Sequence, residues 1–284
     1  MIEVKDLYYS YTKDNNYAVN GISFEIKEGE IYGFLGPNGA GKSTTQKILT
    51  GLLTLQKGLV KVNGKYIDKP DSGFYNSIGV SFEQSNLYRK LTGYENLDYF
   101  RKMYDTETED PLKLLEMVGL SEAADKRISD YSKGMQQRLV FARSLINKPK
   151  IWFLDEPVSG LDPVTSKSIK EIIKQKKTGG TTIFLTTHNM HIADELCDRV
   201  ALIVSGKISV VDSPRNLKVK YGERYVEVEY RQDGDLKKEK ISLTNNIERK
   251  KLNALIDGQN IETLHSKEAS LEDIFIKVTG EELR

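Results

Sequence analysis

Gly36-Pro37-Asn38-Gly39-Ala40-Gly41-Lys42-Ser43-Thr44 fits the pattern G-x-x-x-x-G-K-[ST], set between an apolar run, Ile31–Leu35, and a stretch of helical character, Thr45–Thr50. No other feature limits the possible fold as much. A strand has to run into such a loop and a helix has to leave it. The glycines then let backbone N–H groups turn inward around a β-phosphate, and the helix N-terminus adds its dipole. Lys42 is placed to reach the β- and γ-phosphates, the Ser43 hydroxyl to ligate Mg²⁺, and Thr44 to bond on the α-phosphate side. A plain glycine turn would need neither the strand before it nor the helix after it.

A second apolar run, Ile151–Leu154, ends in two adjacent acids, Asp155 and Glu156. A strand that simply reaches solvent can end this way. After a phosphate loop, in a chain of alternating strands and helices, the pair reads as a metal position and a base position. Asp155 would hold the Mg²⁺ shell, and Glu156 would polarise the attacking water as general base. Neighbouring strand residues point to opposite faces, so the two acids can serve different roles. His188 follows the predicted strand Thr181–Thr187. A lone histidine is more often structural, but this one falls at the C-terminal edge of a sheet, where open α/β sheets bind ligands, and is read as a γ-phosphate contact. His191 reads as an ordinary helix face, and His265 as structural. Cys197 is the single cysteine, which excludes an internal disulfide and an all-cysteine metal site. A site combining it with His188 and His191 is conceivable, but a buried thiol is the simpler reading.

The 284 residues suffice for about two structural units at ~150 residues each. Apolar residues at 38% and charged residues at 29% fit a folded chain rather than a disordered one. Lys plus Arg is 42 and Asp plus Glu is 41, so a net charge of +1 gives no electrostatic grip on bulk nucleic acid or an anionic membrane. The opening MIEVKDLYYS has no apolar signal region, and runs such as Val200–Val204 fall far short of the ~18 residues of a membrane span. The expectation is a cytoplasmic protein that meets a membrane only through another chain. Short alternating strands fill Met1 to about Val62, and the stretch from about 86 to 147 reads as helical. Thr92 with Glu95 forms a capping box there, opening a helix through Leu97, Phe100 and Met103, and Ser132 precedes another helix. Strand and helix then alternate through Val204, which predicts a parallel sheet covered on both faces. Residues 213–222 read as a linker. Residues 223–284 read as a small α+β appendix, with a hairpin turn at Gln232-Asp233-Gly234-Asp235 and a last helix capped by Ser270 and Asp273.

Taken in order, these residues resemble the ATP-binding subunit of an ABC transporter over about residues 1–212. Gly36–Thr44 is similar to the Walker A loop, and Ile151–Asp155 with Glu156 to Walker B and its following base. Gln84 stands where the family has its Q-loop glutamine, a Mg²⁺ and water contact that also faces the membrane partner. Tyr131-Ser132-Lys133-Gly134-Met135-Gln136 stands for the LSGGQ signature, Ser159-Gly160-Leu161-Asp162 for the D-loop, and His188 for the switch histidine. Tyr11 takes the place of the aromatic that stacks on adenine, with Tyr17 as the weaker candidate. Lys133, Met135 and Glu83 depart from the pattern, standing where the family has a glycine, a glutamine and more commonly a proline. Ser132 and Gly134, the groups expected at the γ-phosphate, are kept.

The resemblance implies an α/β P-loop NTPase cassette: a RecA-like parallel sheet core with an antiparallel β subdomain, a helical subdomain over about 86–147, and the α+β appendix. It implies ATP and Mg²⁺ bound between two cassettes, as a homodimer. A separately encoded transmembrane permease would be the partner at the inner face of the cell membrane, and nucleic acid would not. The likeness extends to bacterial exporters of drugs, antibiotics or peptides. The appendix would dimerise or regulate the cassettes, or merely cover an exposed edge. A soluble ABC ATPase without a transport role, of the iron–sulfur assembly type, is the alternative. A metabolic kinase or a silent nucleotide sensor is less compatible with the signature, Glu156 and His188.

Overall fold

A computed structural model describes residues 1–12, 16–222, 225–232, 235–258, 261–267 and 269–281. The chain runs β1 (Ile2–Tyr9), β2 (Val19–Ile26), β3 (Ile31–Leu35), α1 (Lys42–Leu49), β4 (Lys57–Val62), β5 (Lys65–Tyr66), α2 (Ser72–Ser77), β6 (Ile78–Ser81), α3 (Gly93–Arg101), α4 (Pro111–Met117) and α5 (Lys133–Arg143). It continues with β7 (Ile151–Asp155), α6 (Pro163–Thr178), β8 (Thr182–Thr187), α7 (Met190–Leu196), β9 (Arg199–Val204), β10 (Lys207–Asp212) and α8 (Pro214–Tyr221). Last come β11 (Tyr225–Gln232), β12 (Asp235–Ser242), α9 (Asn246–Asp257), β13 (Ile261–Lys267) and α10 (Leu271–Thr279). Two compact units result, one over Met1–Val211 and one from Asp212 onward.

In the first unit, period-two alternation buries Ile2 and Val4 of β1 and Ile22, Phe24 and Ile26 of β2, and a register shift after Val4, with Asp6 at φ 47°, buries Leu7 as well. These strands pair antiparallel, Val4 opposite Phe24, in a sheet of order β2-β1-β4-β5. The second sheet has the order β10-β9-β3-β8-β7-β6. Its strands β9, β3, β8, β7 and β6 pair in parallel. Every residue of β3, β7 and β8 is buried, as a parallel sheet covered on both sides requires. One apolar cluster joins the two sheets, and it also takes in Ile48 and Leu49 of α1. At its centre Phe184 packs against Phe34 (ring centroids 5.5 Å apart), Phe153 (5.9 Å) and Phe24 (6.3 Å).

The stretch 86–147 carries α3, α4, two short 3₁₀ turns and α5. The Thr92–Glu95 capping box is present, but α3 ends at Arg101 with Lys102 as its cap, so Met103 lies outside the helix. β6 escaped the sequence reading. It is four residues long and contains Gly79, where an added Cβ would lie 2.0 Å from the Ser144 carbonyl. No helix among the described residues is long and apolar enough to cross a membrane.

The second unit corrects one expectation. Residues 214–221, expected as a linker, form the helix α8. Ser213 caps it by accepting the Asn216 N–H, Pro214 sits in its first turn, and Leu217 is fully buried. Proline and serine here start a helix instead of breaking one. A three-stranded antiparallel sheet of order β12-β11-β13 buries Val226, Val228 and Tyr230 with Ile241 and with Leu252 of α9. The strand β13 was missed because its sequence IETLHSK is mostly polar. Residues 233 and 234 of the expected hairpin turn lie outside the described residues. The Ser270–Asp273 box caps α10, which packs with α8.

Phe184→Ala should lower the unfolding free energy by about 3–5 kcal/mol, because it opens a cavity where the two sheets meet. A urea melt followed by far-UV circular dichroism reads this directly. A midpoint equal to wild type would contradict the central packing role.

Candidate functional site

β3 delivers the chain to Gly36, and α1 begins at Lys42. The loop between is shaped by two glycines whose side chains would collide with neighbouring backbone. Gly41 has φ +104, and a Cβ on it would lie 2.4 Å from the Ala18 carbonyl. A Cβ on Gly36 would lie 2.1 Å from the Ile203 carbonyl. The loop is thus wedged between the backbones around Ala18 and Ile203, while Asn38 and Gly39 stay exposed at its tip. Pro37 is half-buried beside the turn, and Ala40 is buried and accepts the Gly206 N–H. Lys42 is buried, and its ammonium is folded onto its own loop, donating to the carbonyls of Gly36 (2.7 Å) and Pro37 (2.9 Å). Burial pushes its pKa down, and the carboxylates of Glu156, Asp155 and Glu83 oppose that shift.

Asp155 ends β7, and Thr186 of β8 is its register partner. The Thr186 hydroxyl donates to the Asp155 carboxylate. Burial pushes the Asp155 pKa up, helped by Glu156, while the hydroxyls of Thr186 and Ser43 and the Lys42 ammonium act against it. Glu156 has a positive φ of 47°, so it leaves the strand conformation although its N–H still bonds the Thr186 carbonyl at 3.0 Å. Its Oε2 accepts from the Thr187 hydroxyl at 2.8 Å. Its Oε1 accepts from the His188 N–H at 2.7 Å and lies 2.6 Å from His188 Nδ1. The acids at the end of β7 therefore meet the Thr-Thr-His end of β8, with the phosphate loop on the neighbouring strand. Sequence reasoning named Asp155, Glu156 and His188 but missed Thr186 and Thr187, and it met Glu83 only as a departure from the family pattern. The parallel register of β7 and β8 is the signal that would have found the threonines.

Asp155 and the Ser43 hydroxyl supply hard oxygen donors close together, a set that suits Mg²⁺. Among the described residues no group of three or more His, Cys, Asp or Glu side chains could hold a metal. A cation here would therefore complete its shell with phosphate oxygens and water, which is how Mg²⁺ is usually bound. The idea of a site using Cys197 fails for the same reason. That thiol is buried behind β3, 2.7 Å from where a Gly33 Cβ would be, and burial pushes its pKa up.

Tyr11 reaches the site. Its hydroxyl lies 3.1 Å from Thr44 Oγ1, and its ring packs edge-on against Tyr9. Tyr17 packs instead on Tyr8, with ring centroids 5.4 Å apart.

The remaining sequence candidates stand apart from the loop. Ser132 caps α5 by accepting the Met135 N–H, with Gly134 in the first turn. Asp162 caps α6 by accepting from the Val164 and Thr165 N–H groups, and the Thr165 side chain, with those backbone bonds, holds its carboxyl below the usual range. No hydrogen bond among the described residues joins Ser132, Gly134 or Asp162 to residues 36–44. Gln84 is exposed and lines a cavity of about 440 Å³ with Glu83, Ser85, Lys133, Gln137 and Ser159. Two of the departures from the family pattern, Glu83 and Lys133, thus face one space. The segment carrying Gln84 is tied to α5 at two points: Ser85 donates to Gln136 (3.1 Å), and the buried Arg143 donates to both oxygens of Asn86 (3.0 and 2.5 Å).

The ABC transporter family profile matches residues 19–159. A fluoroquinolones export ATP-binding protein of Mycobacterium tuberculosis is 50% identical over 284 residues, covering all of this chain and 94% of that protein. The linearmycin resistance ATP-binding protein of Bacillus subtilis is 36% identical over 221 residues, 76% of this chain and 70% of that protein. A solved dimeric ATP-binding cassette in a post-hydrolysis state, bound to ADP and Pi, superposes with a TM-score of 0.69 at 28% identity, over 75% of this chain and 98% of that one.

The loop geometry separates two otherwise similar substitutions. Gly41→Ala meets the Ala18 carbonyl, whereas Gly39→Ala at φ +80 meets nothing within 4 Å. Gly39→Ala should cost about 1–3 kcal/mol of backbone strain. Gly41→Ala should cost more than that and also weaken nucleotide binding strongly. Thermal melts and ATP titrations of the two variants compare them, and equal effects would contradict the wedge.

Proposed function

The chain belongs to the ABC transporter family as an ATP-hydrolysing, nucleotide-binding subunit of the exporter type, and from that premise we propose how its residues do the work and for what cargo. The supporting observation is the convergence of Lys42, Asp155, Glu156 and His188 at the ends of three adjacent parallel strands. Lys42 leaves the Gly36 and Pro37 carbonyls for the β- and γ-phosphates, and the loop N–H groups with the start of α1 hold the remaining charge. Tyr11 gives up Thr44 to the α-phosphate and stacks on the base. Ser43, Asp155 and Gln84 would hold Mg²⁺, which when bound would supply positive charge against the phosphates. Glu156 accepts a proton from the attacking water. His188 turns from Glu156 to the γ-phosphate.

Ser132, Gly134 and Asp162 stand away from residues 36–44 in one chain, which supports a site completed by a second copy. Each copy lends its α5 tip to its partner's loop, with the helix dipole aimed at the γ-phosphate. In this reading residues 1–212 are the cassette, with a helical subdomain over about 86–147. The residues from 213 on, α8 included, are an accessory domain. A separately encoded permease holds the pair at the inner face of the cell membrane. The relative that is half identical over the whole chain is named for fluoroquinolone export and another for linearmycin resistance. Those names support a drug-like small molecule as cargo and do not favour a soluble, non-transport ATPase.

Glu156→Gln should keep ATP binding, slow hydrolysis by about a hundredfold or more, and trap an ATP-bound dimer. Phosphate release and size-exclusion chromatography with ATP read both effects. Near-normal turnover would reject the base assignment. Lys42→Ala should weaken ATP binding, read by equilibrium titration, and unchanged affinity would count against the phosphate role.

A further inference from the structure

Each acid at the end of β7 is met by a threonine hydroxyl at the end of β8, Asp155 by Thr186 and Glu156 by Thr187. Thr187 is 2% exposed. Its oxygen accepts the Asn189 N–H at 3.0 Å and lies 2.8 Å from Glu156 Oε2. A hydroxyl carries one proton, and its two neighbours are a donor and a carboxylate, so the proton has to point at Glu156. Oε2 is thus fixed by a buried group. Oε1 is held differently, by the backbone N–H and ring of the exposed His188. Glu156 also sits at φ 47°, outside the strand conformation, so strand alternation does not aim its carboxylate.

We infer that Thr187 is a positioning residue for ATP hydrolysis. Its hydroxyl anchors Oε2 of Glu156, so that Oε1 keeps its direction toward the attacking water once the His188 ring turns away. This rests on Glu156 being the base. Thr186 has no equivalent role, because its hydroxyl serves the carboxylate assigned to the metal.

Thr187→Val removes the hydroxyl and keeps the branched shape. In the full chain, kcat for ATP hydrolysis should fall roughly ten- to a hundredfold, the loss expected for one hydrogen bond to a charged group. Affinity for a fluorescent ATP analogue should stay within about twofold, the split expected when only the chemical step is affected. Thr187→Ser should restore most of kcat. In a Glu156→Gln background, Thr187→Val should cost no further rate, since the group it aims is gone. Wild-type turnover in Thr187→Val beside a silent Glu156→Gln would overturn the positioning role and leave the base assignment standing. Brisk turnover in Glu156→Gln would remove the premise instead. A Thr187→Val chain that loses its fold or its nucleotide affinity, or a serine variant as slow as valine, would make Thr187 part of the framework and overturn the inference.

Discussion

The site depends on the register of three parallel strands. Leu35 pairs with Thr187, and Asp155 pairs with Thr186, so β3 and β8 end level with each other and β7 one residue short of them. Each strand therefore delivers its next residues to the same place: the glycine loop after Leu35, Glu156 after Asp155, His188 after Thr187. A slip of one residue between β7 and β8 would turn the strand-end side chains to opposite faces and separate the acids from their threonines, and one between β3 and β8 would shift the glycine loop away from both. The register is held from behind by the aromatic contacts of Phe34, Phe153 and Phe184, which lie on these same three strands and lock against Phe24 of the antiparallel sheet. Packing in the core and geometry in the site are one constraint.

Much of this was legible in the sequence, because phosphate chemistry leaves few choices of residue at the loop. Gly36, Gly41 and Lys42 could be assigned from their pattern alone. The two acids were legible because an apolar run ends on them. The threonines were not, because their role exists only across the β7–β8 ladder, whose pairing spans about thirty residues that no local pattern connects. Glu83 was noticed only as a departure, and its influence on Lys42 arises through space. Elsewhere the failures were of scale. β6 and β5 are too short to show a period, β13 is too polar, and Pro214 looked like a break when it was a first helical turn.

Several polar side chains of the site pair with groups of the same site. Lys42 spends its protons on loop carbonyls, Tyr11 meets Thr44, and Glu156 is met at both oxygens. For the buried Lys42 and Glu156 this is the pairing that buried polar groups require. A ligand that takes up these groups would exchange one set of hydrogen bonds for another, so its affinity would measure a difference between the two sets rather than the sum of new contacts.

The double tie between the Gln84 segment and α5 has a mechanical consequence. Ser85 grips the helix near its first turn, at Gln136, and Asn86 is gripped by Arg143 at its last residue. A loop held at one point can pivot, whereas one held at two points along a rigid rod transmits both push and twist. A displacement of the segment around Gln84 would therefore carry α5 with it, and with α5 its Ser132 cap, rather than be absorbed by pivoting about one bond.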